Sequence, residues 1–175
     1  MKRTLIMLGA VLLIALSTSF AYAEDAFETY HLDDLSYQVP SSWVFEVDGD
    51  DNVHRQSDPS GGSREGKLTV RFYPDRNLSD KSDDEILPEL AGYAGFVFQM
   101  NGLQDFEAIP LRVNNFLSVS YKIVVKQSSH SFSCYACFLY HNDGIISIIY
   151  YHQTLEEQEV FSTFESILAT LEVDP

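Results

Sequence analysis

The sequence has 175 residues, of which 26 are acidic and 11 are basic, and its formal net charge at pH 7 is −15. Binding to nucleic acid or to an anionic membrane surface normally depends on lysine and arginine contacts, so this charge balance argues against both. A basic protein partner or divalent cations fit the charge better, although the charge also serves simply to keep an aromatic-rich exported protein soluble.

The first 23 residues have the pattern of a bacterial secretory signal peptide. Two basic residues precede an apolar run from Leu5 to Leu16, and a small-x-small cleavage motif ends at Ala23. The run is shorter than the roughly 20 residues that a membrane span needs. We therefore expect cleavage after Ala23 and a single secreted or periplasmic domain of residues 24–175. Cleavage removes two of the 11 basic residues and no acidic ones, so the mature charge is 9 minus 26, or −17.

Strand patterns dominate the first part of the mature chain. Residues 24–34 are mostly polar and show no clear period, whereas Leu35–Pro40 alternates apolar and polar residues as a strand does. Ser41-Ser42 predict a turn, and Trp43–Val47 predicts a second strand that pairs with the first. Asp48–Asp51 then predicts an acidic turn.

Two further strands are expected on either side of a helix. The polar segment Arg55–Gly66 predicts a long mobile loop, and Leu68–Tyr73 predicts a clear strand after it. Beyond the helix, Phe106–Val113 predicts a strand. Because Pro110 interrupts it, this strand is expected at a sheet edge.

The first helix is predicted from its capping pattern. Ser82 and Glu85 match a capping box, and Asn101-Gly102 predicts the end of the helix. Pro88 removes an amide donor, so it is expected to kink the helix or to shift its start to that point. The apolar stripe at helical spacing comprises Leu87, Leu90, Ala94, Val97 and Phe98.

Three successive strands are predicted next, over Phe116–Val125, Phe132–Tyr140 and Ile145–Tyr151. Gln127–Ser129 predicts the first connection. Asp143-Gly144 predicts a type I′ turn for the second. Since the last two strands are apolar on both faces, layers of structure must cover both sides of this sheet.

The second helix has the clearest pattern. Thr154 is predicted as its N-cap, with Glu157 as the reciprocal partner. Acidic residues in its first turn suit the positive end of the helix dipole. Its apolar face comprises Val160, Phe161, Phe164, Ile167, Leu168 and Leu171.

Both cysteines lie in one predicted strand, at Cys134 and Cys137. Residues three apart in a strand point to opposite faces, and their Cα atoms lie roughly 10 Å apart. A disulfide needs less than about 7 Å, and one zinc ion would need both thiols close together. Unless a bulge bends the strand, we expect two separate buried thiols rather than a redox pair or half of a metal site.

The histidines and the acidic turn are the candidate metal ligands of this sequence. The spacing of His130, His141 and His152 reflects strand and turn lengths, because a turn at Asp143-Gly144 pairs His152 with Tyr135 and leaves His130 about 16 Å away. His31 and His54 lie far off in the sequence. The turn Asp48–Asn52 resembles a calcium loop but has Val53 and Pro59 where such loops carry glycine and glutamate. A plain hairpin turn with weak cation affinity is expected there.

No sequence motif for nucleophilic, metal or phosphate chemistry is present, so we predict no catalytic, cofactor-binding or metal-binding residue. An active site assembled from residues that are distant in the sequence carries no such motif. Asn77-Leu78-Ser79 matches the N-glycosylation acceptor pattern, which we attribute to chance.

The predicted order of elements resembles the family of PsbP and the Ran-binding import factor. The resemblance rests on Tyr37–Trp43, the central strand Gly144–Tyr150 and the closing helix Phe161–Leu171, and spans nearly the whole mature chain. It implies an α+β fold, an α/β/α sandwich with a mainly antiparallel sheet of about six to eight strands and two principal helices. It also implies a noncatalytic binding or assembly role, with no functional residue that can be carried over.

Two classes of function follow from the sequence. The first is an exported binding module that recognises a protein partner or a small ligand at the sheet edge or at the Arg55–Gly66 loop. The second is a small exported enzyme, thiol-based if a bulge brings Cys134 and Cys137 together. No cofactor is predicted for either class.

Overall fold

The computed structural model describes residues 26–56, 66–74, 76, 78–113, 115–127 and 130–173. The predicted signal peptide and the predicted cleavage site lie outside the described residues. Within these ranges the elements are β1 Phe27–Leu32, β2 Leu35–Pro40, β3 Val44–Asp48, β4 Asp51–Gln56, β5 Gly66–Tyr73, α1 Asp83–Met100, β6 Phe106–Ile109, β7 Ser118–Gln127, β8 His130–His141, β9 Gly144–His152, α2 Glu157–Leu168 and β10 Glu172–Val173.

The strands form two sheets. The large sheet has seven antiparallel strands in the order β3-β4-β5-β9-β8-β7-β6, and the small sheet has the order β1-β2-β10. The three-strand meander is confirmed, because β7, β8 and β9 pair in succession. The edge position of β6 is confirmed as well. This strand ends directly before Pro110, which has no amide hydrogen to donate to a ladder.

Both faces of the large sheet are covered, as the doubly apolar strands predict. One core lies between the sheet and α2 together with the small sheet, and a second core lies under α1. The α+β fold class is therefore confirmed: an α/β/α sandwich with a seven-stranded antiparallel sheet and two principal helices. The small sheet and α2 lie on the same face of the large sheet.

Three strands that the sequence pattern missed are present, one of which is the two-residue β10. β1 lies in the segment 24–34, where no period is visible because its side chains are mostly exposed and only the backbone pairs with β2. β4 extends into the predicted Arg55–Gly66 loop, with Val53 and His54 fully buried. Residues 57–65 of that loop lie outside the described residues.

The predicted pairing of β2 with the next strand is wrong. After β2 the backbone turns at Trp43, whose amide donates to the Pro40 carbonyl at 3.0 Å. The chain then leaves the small sheet, and β3 pairs with β4 at the edge of the large sheet. Alternation along a strand predicts which side chains are buried but not which neighbour the strand pairs with.

The register of the β8–β9 hairpin differs from the predicted register by two residues. Its turn residues are Asn142 and Asp143, with φ values of 46° and 59°, and His141 pairs with Gly144. Gly144 therefore begins β9, where an added Cβ atom would lie 2.3 Å from the Phe72 ring. Space, rather than backbone conformation, requires glycine at this position.

This shift changes the partners across the hairpin without changing the faces. Tyr135 pairs with Tyr150 rather than with His152. The shift is an even number of residues, so each side chain stays on its predicted side of the sheet. Asp143 holds the turn in place, because its carboxylate accepts the amide hydrogen of Ser79 at 2.8 Å.

The capping box of α1 is confirmed. The helix begins directly after Ser82, whose amide donates to the Glu85 carboxylate at 3.0 Å. Pro88 does not shift the start of the helix and lies within it on the exposed side. Asn101-Gly102 ends the helix as predicted, with Gly102 at a φ of 68°. The buried side chains are Ile86, Leu90, Ala94 and Phe98, with Leu87 and Val97 half-buried beside them.

The predicted N-cap of α2 is wrong, although its apolar face is right. Glu156 is the N-cap and Glu159 is its reciprocal partner, instead of Thr154 and Glu157. The imidazole of His152 explains the difference, because its Nδ1 accepts the amide hydrogens of Thr154 at 3.3 Å and of the next residue at 3.1 Å. These bonds hold a turn before α2, so the helix begins two residues later than predicted. The face buried against the sheet includes Val160, Phe164, Ile167, Leu168 and Leu171.

Candidate functional site

The two thiols lie on one strand and point into different cores. Cys134 packs in the core under α1, and Cys137 packs in the core under α2. Both are free and buried, which confirms the prediction of two separate buried thiols. Burial raises the pKa of each thiol to about 12, so both are protonated at neutral pH. This arrangement does not bring the two sulfur atoms together as a redox pair requires.

The histidines whose side chains the structure describes lie on four different strands. His141 Nε2 lies 2.6 Å from the Asp34 carboxylate, which joins the β8–β9 turn to the small sheet. His152 directs its Nδ1 to backbone amides, and the side chain of His130 lies outside the described part of the chain. His31 and His54 lie on β1 and β4. Among the described residues, no group of three or more His, Cys, Asp or Glu side chains is placed to hold a metal ion.

The acidic segment Asp48–Asn52 forms a hairpin turn between β3 and β4, as expected. Asp48 pairs with Asp51 across the turn, and Gly49 adopts a φ of 63°. Asp51 lies 2.8 Å from the Arg71 guanidinium, while the Asn52 amide donates to a backbone carbonyl of β1. The Asp51 carboxylate is therefore already paired with a cation within the protein.

A groove lies where α2 leaves the large sheet uncovered. α2 packs against β8 and β9, and strands β7 and β6 extend beyond it. The groove between this edge and the start of α2 has a volume of about 760 Å³. We call it the β6–α2 groove. Its lining residues are Glu107, Ile109 and Pro110 from the edge, Lys122 and Tyr135 from the floor, and Glu156, Glu157, Gln158 and Phe161 from α2.

The floor of the groove follows one cross-strand row of the sheet. Glu107 on β6 lies opposite Lys122 on β7, and Lys122 lies opposite Tyr135 on β8. Tyr135 is buried, and its ring packs against Phe161 and Phe164 with centroid distances of 5.2 and 5.9 Å. The row thus runs from an exposed carboxylate at the sheet edge to the aromatic core.

An ion pair closes the inner end of the groove. Lys122 Nζ lies 2.6 Å from Glu157 Oε1, and the Ser133 hydroxyl donates to Glu157 Oε2 at 3.2 Å. The Lys122 hydrogen bond lowers the pKa of Glu157. Burial, followed by the nearby Glu157 charge, raises the pKa of Tyr135 to about 12. Glu157 is therefore ionised and Tyr135 is a neutral phenol at neutral pH.

The groove carries excess negative charge. Glu107, Glu156 and Glu157 contribute three negative charges against the single positive charge of Lys122, a formal balance of −2. Lys122 is already paired with Glu157. Glu107 is exposed and forms no ion pair with any residue that the structure describes. One of the two unmatched charges, that of Glu107, thus lies at the open edge of the sheet.

The opposite end of the sheet has a different charge arrangement. α1 packs against β7 and β8, so β5, β4 and β3 extend beyond it on the other face. There Arg55 pairs with Glu46, and Arg71 lies 2.8 Å from Asp51. Each of these two cations therefore has a carboxylate partner.

The sequence pattern did not indicate the groove residues. The sequence predicted Glu157 as a helix cap, and Glu107 and Lys122 belong to ordinary strand patterns. One usable signal is Lys122 itself, the one charged residue within the predicted strand Phe116–Val125. The sheet edge was nevertheless predicted as one of two places for a partner.

Solved structures share this architecture over most of the chain. A mutant of the protein Mog1 superposes with a TM-score of 0.60 at 12% identity, covering 85% of this chain and 96% of that one. The cyanobacterial PsbP of Synechocystis sp. PCC 6803 gives 0.58 at 15% identity, covering 90% and 98%. The chain has the PsbP-type fold.

A third structure with the PsbP-type fold is LpqN of Mycobacterium tuberculosis, a protein involved in cell envelope biogenesis. It has a TM-score of 0.54 at 10% identity and covers 86% of this chain and 91% of that one. No family model and no curated protein matches the sequence. In the described part of the chain, neither helix is long and apolar enough to cross a membrane.

Proposed function

We propose that the protein is an exported, noncatalytic binding module that docks a protein partner at the β6–α2 groove. The observation that carries this proposal is the groove itself, which combines the apolar side chains of Ile109, Pro110 and Phe161 with several carboxylates and an open strand edge. Apolar surface gives binding energy, and charged groups at the rim give specificity. The buried, protonated thiols favour this role over the thiol-based enzyme.

Export is part of the proposal. It is supported by the pattern of the first 23 residues and by the PsbP-type fold shared with LpqN. The mature module then works outside the cytoplasm, in the periplasm or the medium. Its charge of −17 keeps it soluble there and disfavours contact with anionic lipid headgroups.

Site-specific photo-crosslinking in the exporting cell tests the proposal. A photoreactive residue in place of Gln158 would sit at the rim of the groove. The matched control is the same residue in place of Gln99, which is exposed on α1 away from the groove. We expect a discrete protein adduct with the Gln158 variant and none with the Gln99 variant. Equal labelling at both positions, or no adduct at Gln158, would contradict docking at the groove.

A further inference from the structure

We infer that the β6–α2 groove takes an extended, basic segment of its partner, which pairs with β6 as an additional strand. This inference rests on the proposed function and names the chemistry of the partner. Three features support it: the open edge of β6, the charge of the groove, and the order of side chains along the edge.

The first feature is the backbone edge. Among the described strands, β6 pairs only with β7, so its outer side has no strand partner. Unpaired backbone donors and acceptors of an edge strand form a template for an incoming extended segment. β6 is short and ends at Pro110, so the backbone alone gives little affinity. Side chains must then supply the selectivity.

The second feature is the unmatched carboxylate at the edge. Within the sheet, Glu107 lies opposite Lys122 on one side only. A residue of an added strand would lie directly opposite Glu107 on its other side. Opposite charges at directly facing positions stabilise strand pairing, and like charges destabilise it. Arginine or lysine at that position, with a side chain long enough to lean toward Glu156, satisfies the excess negative charge of the groove.

The third feature is the order of side chains along the edge. Glu107 and Ile109 face the α2 side, while Phe106 faces the α1 side and contacts Phe98 at a centroid distance of 4.8 Å. Phe106 keeps an exposed fraction of 43%. An added strand would therefore place apolar residues opposite Phe106 and Ile109 and a basic residue between them, opposite Glu107. This order defines the segment: an apolar residue beside the cation and another two positions away from it.

Synthetic peptides with this pattern test the inference directly. In the first peptide a central arginine has valine beside it on one side and valine two positions away on the other side, with threonine elsewhere. The second peptide has glutamate in place of the arginine, and the third has the arginine but N-methylated amides. Binding to the purified mature protein is followed by fluorescence anisotropy. We expect the arginine peptide to bind about tenfold more tightly than the glutamate peptide, which corresponds to about 1.4 kcal/mol. N-methylation should abolish binding.

Charge reversal identifies the residue responsible. Glu107→Lys should reverse the preference between the first two peptides. Glu165→Lys makes the same change in net charge on the exposed side of α2, and it should leave the preference unchanged. Thermal melting checks that both variants are folded. If Glu107→Lys is not folded, Glu107→Gln replaces it and should reduce the preference without reversing it.

The results separate this inference from the proposed function. Equal binding of the arginine and glutamate peptides, retained binding of the N-methylated peptide, or equal effects of the two charge reversals would overturn the basic-strand inference. If any of these occurs while Gln158 still gives a specific adduct in the cell, docking at the groove stands and only the chemistry of the partner is wrong.

Discussion

The Tyr37 hydroxyl and His54 Nε2 share a hydrogen bond of 2.9 Å that joins the small sheet to the large sheet. Both side chains are buried, and the rings of Tyr30 and Phe45 lie 4.4 and 5.0 Å from the imidazole centroid. The His54 Nδ1 atom is buried without a hydrogen-bond partner among the described residues. Protonation would place an uncompensated charge in this cluster, and burial therefore lowers the pKa of His54 to about 4.

Stability should therefore fall as the pH drops from 6.5 to about 4. In this range the unfolded chain binds a proton at His54 that the folded chain does not bind, so the unfolded state is favoured. Above pH 6.5 the His54 imidazole is neutral in both the folded and the unfolded chain, and below about pH 4 it is protonated in both. The expected loss is up to about 3 kcal/mol in the free energy of unfolding.

Urea unfolding at a series of pH values checks this expectation. In His54→Phe the slope between these two limits should flatten. The same slope in wild type and His54→Phe would contradict the assignment of this pH dependence to His54.

Both thiols should resist modification in the native protein. Cys134 and Cys137 are buried with pKa values raised to about 12, and the thiolate is the reactive form. A chromogenic thiol reagent should react with neither in native buffer and with both in urea, at a rate set by unfolding. Rapid titration of the native protein, or a reducible disulfide, would contradict the arrangement on opposite faces.

Serine substitution should distinguish the surroundings of the two cysteines. Cys137 has the Ser120 hydroxyl beside it, so Cys137→Ser should keep the fold with a loss below about 1 kcal/mol. Cys134 packs among apolar side chains, and Cys134→Ser should cost about 2 kcal/mol because its hydroxyl lacks a partner. Chemical denaturation measures both, with Cys134→Ala as the control for lost volume. A larger loss for Cys137→Ser would reverse this assignment.

Two glycine substitutions should have opposite effects. In Gly144→Ala the new Cβ would lie 2.3 Å from Phe72 and 2.7 Å from the Tyr73 carbonyl oxygen, so we expect a loss above about 2 kcal/mol. Gly92 lies on the exposed side of α1, where an added Cβ atom would have no side chain within 4 Å, and Gly92→Ala should stabilise by about 0.5 to 1 kcal/mol. Thermal melting of both variants gives the comparison. A neutral Gly144→Ala would show that the β8–β9 turn tolerates a side chain.

Processing of the N-terminus tests the predicted export. Mass spectrometry of the protein recovered outside the cytoplasm should show a chain that begins at Glu24. Ala23→Asp should block cleavage, because the cleavage motif requires a small residue at that position. The unprocessed wild-type chain in the cytoplasm would contradict the signal-peptide prediction.

The success of each sequence prediction depended on how local its cause is. The capping box of Ser82 and Glu85 was predicted correctly because both partners lie within one helical turn. The N-cap of α2 was not, because the His152 side chain at the end of β9 binds the amide that follows Thr154 and delays the helix. A capping pattern involves only the N-cap residue and its partner three positions later, whereas here the side chain of His152 also binds the backbone.

The hairpin shows the same limit. Asp-Gly is a favoured turn pair, yet Asp143 binds backbone amides of the segment before α1, and Phe72 on β5 leaves no room for a side chain at Gly144. These contacts join residues more than 60 positions apart. They place the two turn residues one position earlier than predicted, which changes every residue pair between β8 and β9.

The sequence by itself determined that both faces of the sheet are covered, that the two thiols point in opposite directions and that β6 lies at the sheet edge. These follow from the two-residue period of a strand and from the missing amide of proline, which act over a few residues. Only the tertiary structure decided that Glu107, Lys122 and Glu157 meet in one groove. They come from β6, β7 and α2, and their distances depend on strand order, register and helix placement, which are set by packing across the whole fold.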